Sequence, residues 1–280
     1  MKPDRDVSRW PAAVGHPADP GRLGTTGARR WAIVATLAIA AATACVSTNA
    51  FADEAASTRI GEVLDAYGGR AALARVHAYR AEGRFASEMR QVTVHTVRVF
   101  SRPDRLKVLI DYPGHPEARL VDGRRGWRTV GPGPLEPSEG PMLDAMILQA
   151  ARANVPWVLA ERESLARVVE GIERDGVKLD GIEIPLDHGL LLRVYVNPVT
   201  RRVAMSQGVL SHAGMSTHFE TMYSDFRQVS GVLFGFKEEN WASGEHTGTT
   251  TLERIVIDPP LKLDEFTPPP AKDAKGKGAS

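Results

Sequence analysis

The sequence runs to 280 residues, with 35 basic and 34 acidic side chains and a single cysteine. Charges so evenly matched give no sign of the basic face a nucleic-acid partner would want, and one cysteine excludes a disulfide framework. The length suits one domain of ordinary size behind a leader segment.

The leader comes first. Arg29 and Arg30 precede Trp31 to Ala44, a run of apolar and small residues. A polar stretch follows and ends in Ala50-Phe51-Ala52, just ahead of Asp53-Glu54. A positive start, a short apolar core and an A-x-A site are the three parts of a secretory signal, here removed after Ala52. A membrane span would need about 20 apolar residues, more than the run supplies. Arg29-Arg30 reads as ordinary leader charge rather than a twin-arginine signal. The rival is acylation at Cys45, in Ala42-Thr43-Ala44-Cys45, which lacks the usual leucine three residues before the cysteine. The Pro- and Gly-containing stretch 3–27 stays outside the fold reasoning. Beyond Ala52 the chain carries 29 basic and 31 acidic residues and no thiol. That fits an oxidising compartment, the bacterial periplasm.

Ile60, Val63, Leu64 and Tyr67 recur at helical period, which predicts a helix ended by Gly68-Gly69. Ala71, Ala72, Leu73 and Val76 add a short second turn. Strand-like runs follow at His77 to Glu88, Gln91 to Ser101 and Arg105 to Tyr112. In the third, Leu106, Val108 and Ile110 alternate with Arg105, Lys107 and Leu109, the pattern of a strand with one covered face. Ala118 to Val121 is a fourth strand, and Asp122-Gly123 turns it into a fifth at Gly126 to Val130. The Pro/Gly-rich stretch Gly131 to Pro141 interrupts the sheet. Leu143, Met146, Ile147 and Ala150, again at helical spacing, then predict a helical insertion, with Asn154 to Leu159 as its second apolar turn. Six more strands complete the order: Val177 to Pro185, Leu190 to Asn197, Arg202 to Leu210, Thr217 to Val229, Val232 to Ala242 and Thr249 to Ile257. Asn197-Pro198-Val199-Thr200 turns between two of them. The tail from Pro268 has a disordered composition. This makes about ten or eleven antiparallel strands in an α+β fold. A sheet that long curls, and its apolar face needs helices to cover it.

No G-x-S-x-G, H-E-x-x-H, P-loop or G-x-G-x-x-G occurs. His212, His218 and His246 could meet on neighbouring strands as metal ligands, but solvated strand histidines are the commoner case. Glu238, Glu239 and Glu245 read as a solvated charged face. Nothing calls for a cofactor.

The element order, with Tyr67-Gly-Gly-Arg-Ala-Ala-Leu73, Phe100-Ser-Arg-Pro-Asp-Arg-Leu106, Val121-Asp-Gly-Arg-Arg-Gly-Trp127, Leu192-Arg-Val-Tyr-Val-Asn-Pro-Val-Thr-Arg201 and Asp225-Phe-Arg-Gln-Val-Ser-Gly-Val-Leu-Phe234, resembles the LolA/LolB-like family of periplasmic lipoprotein carriers. The resemblance implies a curved antiparallel sheet forming an incomplete β-barrel covered by helices, over residues 53–267, between a signal sequence at 1–52 and a tail at 268–280. It implies a hollow that holds lipid or the acyl chains of a protein, with inner- and outer-membrane lipoproteins as partners, no enzymatic activity and a monomeric chain. Arg102 matches an arginine that bonds to the helical lid, and Trp127 an aromatic that lines the hollow. Phe100, Leu106, Val108, Ile110 and Trp157 would add to that lining. Met142, Leu143, Met146 and Ile147 suit a movable cover, since methionine adapts to varied partners. Two other readings fit the same order: a lipid-sensing regulatory module of the envelope, and a periplasmic hydrolase with an unrecognised site.

Overall fold

The computed structural model describes residues 53–131, 133–212 and 214–268. The cut at Ala52, Cys45 and most of the tail lie outside them. Helix α1 (Glu54–Ala66) begins at Asp53, whose Oδ1 accepts from the backbone N–H of Ala55 at 3.0 Å and Ala56 at 3.4 Å. Its Oδ2 accepts from Val168 N at 2.8 Å, so one carboxylate caps the helix and fastens it to a strand 115 residues on. These bonds, that from Val168 first, hold the Asp53 carboxyl below its ordinary value. Ile60, Val63, Leu64 and Tyr67 are buried on one face, as their spacing predicts. Such burial contributes about 1.5–3 kcal/mol per large side chain.

Gly68 ends α1 at φ +109°, and Leu233 N donates to Tyr67 O at 3.1 Å beside it. A methyl built on Gly68 would lie 2.0 Å from the carbonyl oxygen of Gly231. Both the φ and the close approach therefore demand glycine. Gly68→Ala should cost at least about 2 kcal/mol in chemical unfolding; a cost below about 0.5 kcal/mol would sink this account.

After α2 (Arg70–Arg75) come six strands: β1 (Ala78–Ser87), β2 (Val92–Ser101), β3 (Arg105–Ile110), β4 (Glu117–Asp122), β5 (Arg125–Thr129) and β6 (Leu135–Ser138). Helices α3 (Gly140–Ala153) and α4 (Val155–Glu161) follow. Seven strands complete the chain: β7 (Arg167–Arg174), β8 (Val177–Pro185), β9 (Leu191–Val196), β10 (Val203–His212), β11 (Met215–Val229), β12 (Val232–Ala242) and β13 (Glu245–Ile257). All belong to one antiparallel sheet in the order β6-β5-β4-β3-β2-β1-β13-β12-β11-β10-β9-β8-β7. The last strand pairs with the first, so the sheet has two arms. β6 and β7 are its ends, and α3 with α4 is the connection between them. The sheet is curved and unclosed.

Thirteen strands exceed the ten or eleven expected. The additions are β6 and β7, the two end strands. β6 is four residues long, contains Pro137 and occupies the stretch read as a break. β7 has no buried residue and slips register between Val169 and Ile172, at Gly171. An end strand needs only one partner and half the apolar pattern, so neither announces itself in sequence.

On β2 the concave face takes Val94, Thr96, Arg98 and Phe100, while Val97 and Val99 face outward beneath Leu261 and Phe266. On β3 the expected alternation holds, with Leu106, Val108 and Ile110 buried inward. Asn197 Oδ1 accepts from Val199 N and Thr200 N at 2.9 and 3.0 Å, which fixes the predicted turn. Among the described residues no helix is long and apolar enough to cross a membrane.

At the far arm Glu183 of β8 sits between Arg167 of β7 and Arg193 of β9, its side chain 3% exposed. Arg167 Nε and Arg193 Nε donate to it at 3.0 and 2.9 Å. Burial raises its pKa, but the bonds from Arg193 and Arg167 outweigh that and leave it below the ordinary 4.5. A depressed folded value means stability that is present above pH 4.5 and lost as pH falls through the folded pKa. Glu183→Gln should therefore lower stability by about 1–3 kcal/mol at pH 7. The gap should narrow in urea titrations below pH 4; an equal gap at pH 7 and pH 3 would contradict the linkage.

Candidate functional site

Between the first arm, strands β11 to β13 and helix α3 lies a cavity of about 590 Å3. Its lining includes many apolar side chains, among them Phe85 from β1, Val108 and Ile110 from β3, Phe219 from β11, and Met142, Ala145 and Met146 from α3, interspersed with Arg90, Glu117, Arg119 and Arg128.

Its floor is polar. Arg98 of β2 and Glu238 of β12 form a bidentate pair, Nη1 to Oε1 at 2.7 Å and Nη2 to Oε2 at 2.6 Å, with side chains 14% and 7% exposed. Beside them Arg152, in the last turn of α3, donates from Nη1 to Thr221 Oγ1 at 2.6 Å. Thr221 in turn donates to Asn240 Oδ1 at 3.0 Å. Arg152 is 9% exposed. It has no ion pair among the described residues, and its buried Nε has no acceptor there. The buried Trp241 Nε1 lacks an acceptor too, but Trp241 lies between Asn240 and Ala242, which face the cavity, so its ring stands on the outer face beside Arg174. Burial draws the Arg152 guanidinium below the usual arginine range, against the pull of Tyr223 and Glu238. Burial acts the same way on Arg98, but the charge and hydrogen bonds of Glu238 carry it above its ordinary value. The lining holds five arginines (Arg90, Arg98, Arg119, Arg128 and Arg152) against two glutamates (Glu117 and Glu238).

Beyond the floor the concave face is packed solid. Tyr79, Phe100, Trp157 and Phe234 form an aromatic cluster with ring centroids 5.4–5.9 Å apart. A void of only about 40 Å3 remains there. Burial pushes the Tyr79 hydroxyl up to about 12.

Helix α3 lies across the concave face, touching β4 and β5 on one arm and β9, β10 and β11 on the other. Two glycines admit it. A methyl on Gly126 would lie 2.6 Å from Leu143 Cδ1, and one on Gly208 would lie 3.1 Å from Leu148 Cβ. Its C-terminal end is pinned to the sheet: Tyr223 OH donates to Arg152 O, and Tyr79 OH donates to Asn154 Oδ1 at 2.9 Å. Its N-terminal end has no side-chain cap, and Met142 there is 43% exposed.

The structure divides the residues expected at the site. Val108, Ile110, Met142 and Met146 line the cavity. Leu143 packs over Gly126, and Ile147 packs into the core on either side of α3. Phe100, Leu106 and Trp157 do not line it. They face the same side of the sheet, but where α1, α2 and α4 fill the space, and Trp157 Nε1 donates to Leu73 O at 3.1 Å. Trp127 also departs from expectation. Gly126 and Arg128, its neighbours on β5, face α3 and the cavity, so period-two alternation sends Trp127 to the outer face, under Arg125 at 5.7 Å. Arg102 does meet helices, though not α3. Its Nε and Nη2 reach Glu161 Oε1 of α4 at 2.9 Å, and Nη1 reaches Ala74 O at 3.4 Å. Glu238 is no solvated charge but the buried partner of Arg98. The three candidate histidines form no metal site: among the described residues no three His, Cys, Asp or Glu side chains are placed to hold an ion.

No family model matches the sequence, and no curated protein is similar to it by sequence. Solved structures are similar. A LolA superfamily protein from Nitrosomonas europaea superposes with a TM-score of 0.51 at 16% identity, over 75% of this chain and 97% of that one. The chain has a LolA-like fold. A DUF1329 family protein from Desulfovibrio piger gives 0.50 at 10% identity, over 77% and 97%. At these identities the likeness is one of fold, and it spans nearly the whole of both neighbours. The LolA-like sheet accounts for the unclosed edge between β6 and β7 and for the helices laid over its concave face.

Proposed function

We propose that the protein is a periplasmic carrier that holds lipid, or the acyl chains of a lipoprotein, in the cavity under α3. The cavity itself carries this reading: about 590 Å3 of space with many apolar lining residues, under a helix whose C-terminal end is hydrogen-bonded to the sheet and whose N-terminal end has no side-chain cap. Each methylene buried there contributes about 0.8 kcal/mol, so a long chain binds well without a catalytic or metal-binding group. Binding and release then need only that α3 swing about its C-terminal end, where Asn154 links it to α4. The LolA-like fold supports the same reading.

The carrier domain spans 53–267 in this proposal, after a signal removed at Ala52 and before a tail at 268–280. Asp53, the first residue after that cut, already caps α1. Acylation at Cys45 would make the same domain a tethered receptor. Native mass spectrometry of the full chain, expressed with its leader in a Gram-negative host, tests both points. The expected result is a protein starting at Asp53 that releases lipid on organic extraction. No released lipid, together with no binding of a neutral apolar dye, would overturn the carrier.

A further inference from the structure

A purely apolar cargo leaves the cavity floor unexplained. Arg152 is a cation 9% exposed, without an ion pair among the described residues and with a buried Nε that has no acceptor there. Taking a guanidinium out of water is costly unless an anion meets it. Stabilising the C-terminal end of α3 would need only a cation near the last turn, and an exposed one would serve. The neighbouring Arg98 is matched by Glu238 and has nothing to spare for Arg152. The lining holds five arginines against two glutamates, and one of the two, Glu238, is already taken up by Arg98.

We propose that the cavity takes a single-chain amphiphile with a carboxylate head, a long-chain fatty acid, seated head-first on Arg152. This rests on the carrier reading above and names its cargo. The planar guanidinium edge matches a carboxylate with two parallel hydrogen bonds. Arg152 is buried at the C-terminal end of α3 and Met142 is 43% exposed at its N-terminal end, so the head goes in towards Arg152 and the methyl end lies towards Met142. Size agrees. The cavity of about 590 Å3 has room for a long alkyl chain.

The test is displacement of the neutral dye 1-N-phenylnaphthylamine from the purified full chain by oleate, oleyl alcohol and oleyl phosphate, three heads on one tail. Oleate should bind at least about tenfold more tightly than oleyl alcohol, the share of a charged hydrogen-bonded pair, and more tightly than oleyl phosphate. Arg152→Met should abolish that preference while the dye still binds. Equal displacement by oleate and oleyl alcohol in the unaltered protein, a preference for oleyl phosphate, or a preference that survives in Arg152→Met overturns the proposal and leaves the carrier standing. Failure of the dye and all three lipids to bind would remove the carrier reading as well.

Discussion

Glu238→Ala should lower the free energy of unfolding by about 3–5 kcal/mol, the usual consequence of removing one partner of a buried ion pair. The pair is well enclosed, at 14% and 7% exposure, and bidentate at 2.7 and 2.6 Å. Without the carboxylate, Arg98 keeps its charge in a site that burial makes hostile to it. Arg152, which already lacks an ion pair, loses the carboxylate that partly offsets its own burial. Two guanidiniums would then share the floor with no anion among the protein's own groups. Urea unfolding at neutral pH measures the loss. The double variant Arg98→Met/Glu238→Leu should recover most of it, because a buried pair replaced as a whole by apolar groups is often neutral. A loss below about 1 kcal/mol in Glu238→Ala would mean that water reaches the floor freely and that the pair behaves as a surface bridge.

That floor was the least legible part of the sequence. Glu238 stands beside Glu239 and close to Glu245, a charged stretch that reads as solvent-facing by composition. Its parity says otherwise: Phe234, Phe236 and Glu238 fall on one side of β12, and the first two are buried. Arg98 shares the inward side of β2 with Val94 and Phe100 in the same way. Alternation therefore carried the signal, and charge masked it. Arg152 had a weaker signal, since arginine near the end of a helix is ordinary. Only the tertiary placement of α3 buries it. The helices and the inner strands were legible because each repeats an apolar period over several residues. β6 and β7 were not, because a sheet end needs no second covered face. The aromatic residues were misplaced for a related reason. Sequence parity gives the face of the sheet, but not how far along that face the covering helices reach. Phe100 and Val108 both point inward, one into the packed end and the other into the cavity.

That division between packed end and cavity predicts opposite outcomes for two substitutions. Trp157→Ala should cost about 3–5 kcal/mol, because it opens a hole among Tyr79, Phe100 and Phe234 and removes the bond to Leu73 O. Ligand binding, measured well below its lowered melting temperature, should persist, since the indole does not line the 590 Å3 cavity. Ala145→Trp should do the reverse. Ala145 faces the cavity from α3 and is not fully buried, so the new indole extends into empty space rather than against packed neighbours. Stability should stay within about 1 kcal/mol of the parent. Binding of a neutral dye or of oleate should fall by about tenfold or more, because the space for the chain is taken. If Trp157→Ala abolished binding while Ala145→Trp left it intact, the ligand would have to sit at the aromatic end. The roles assigned to the two halves of the concave face would then be exchanged. Because each substitution leaves unchanged the property the other alters, a general loss of folding cannot produce the expected pattern.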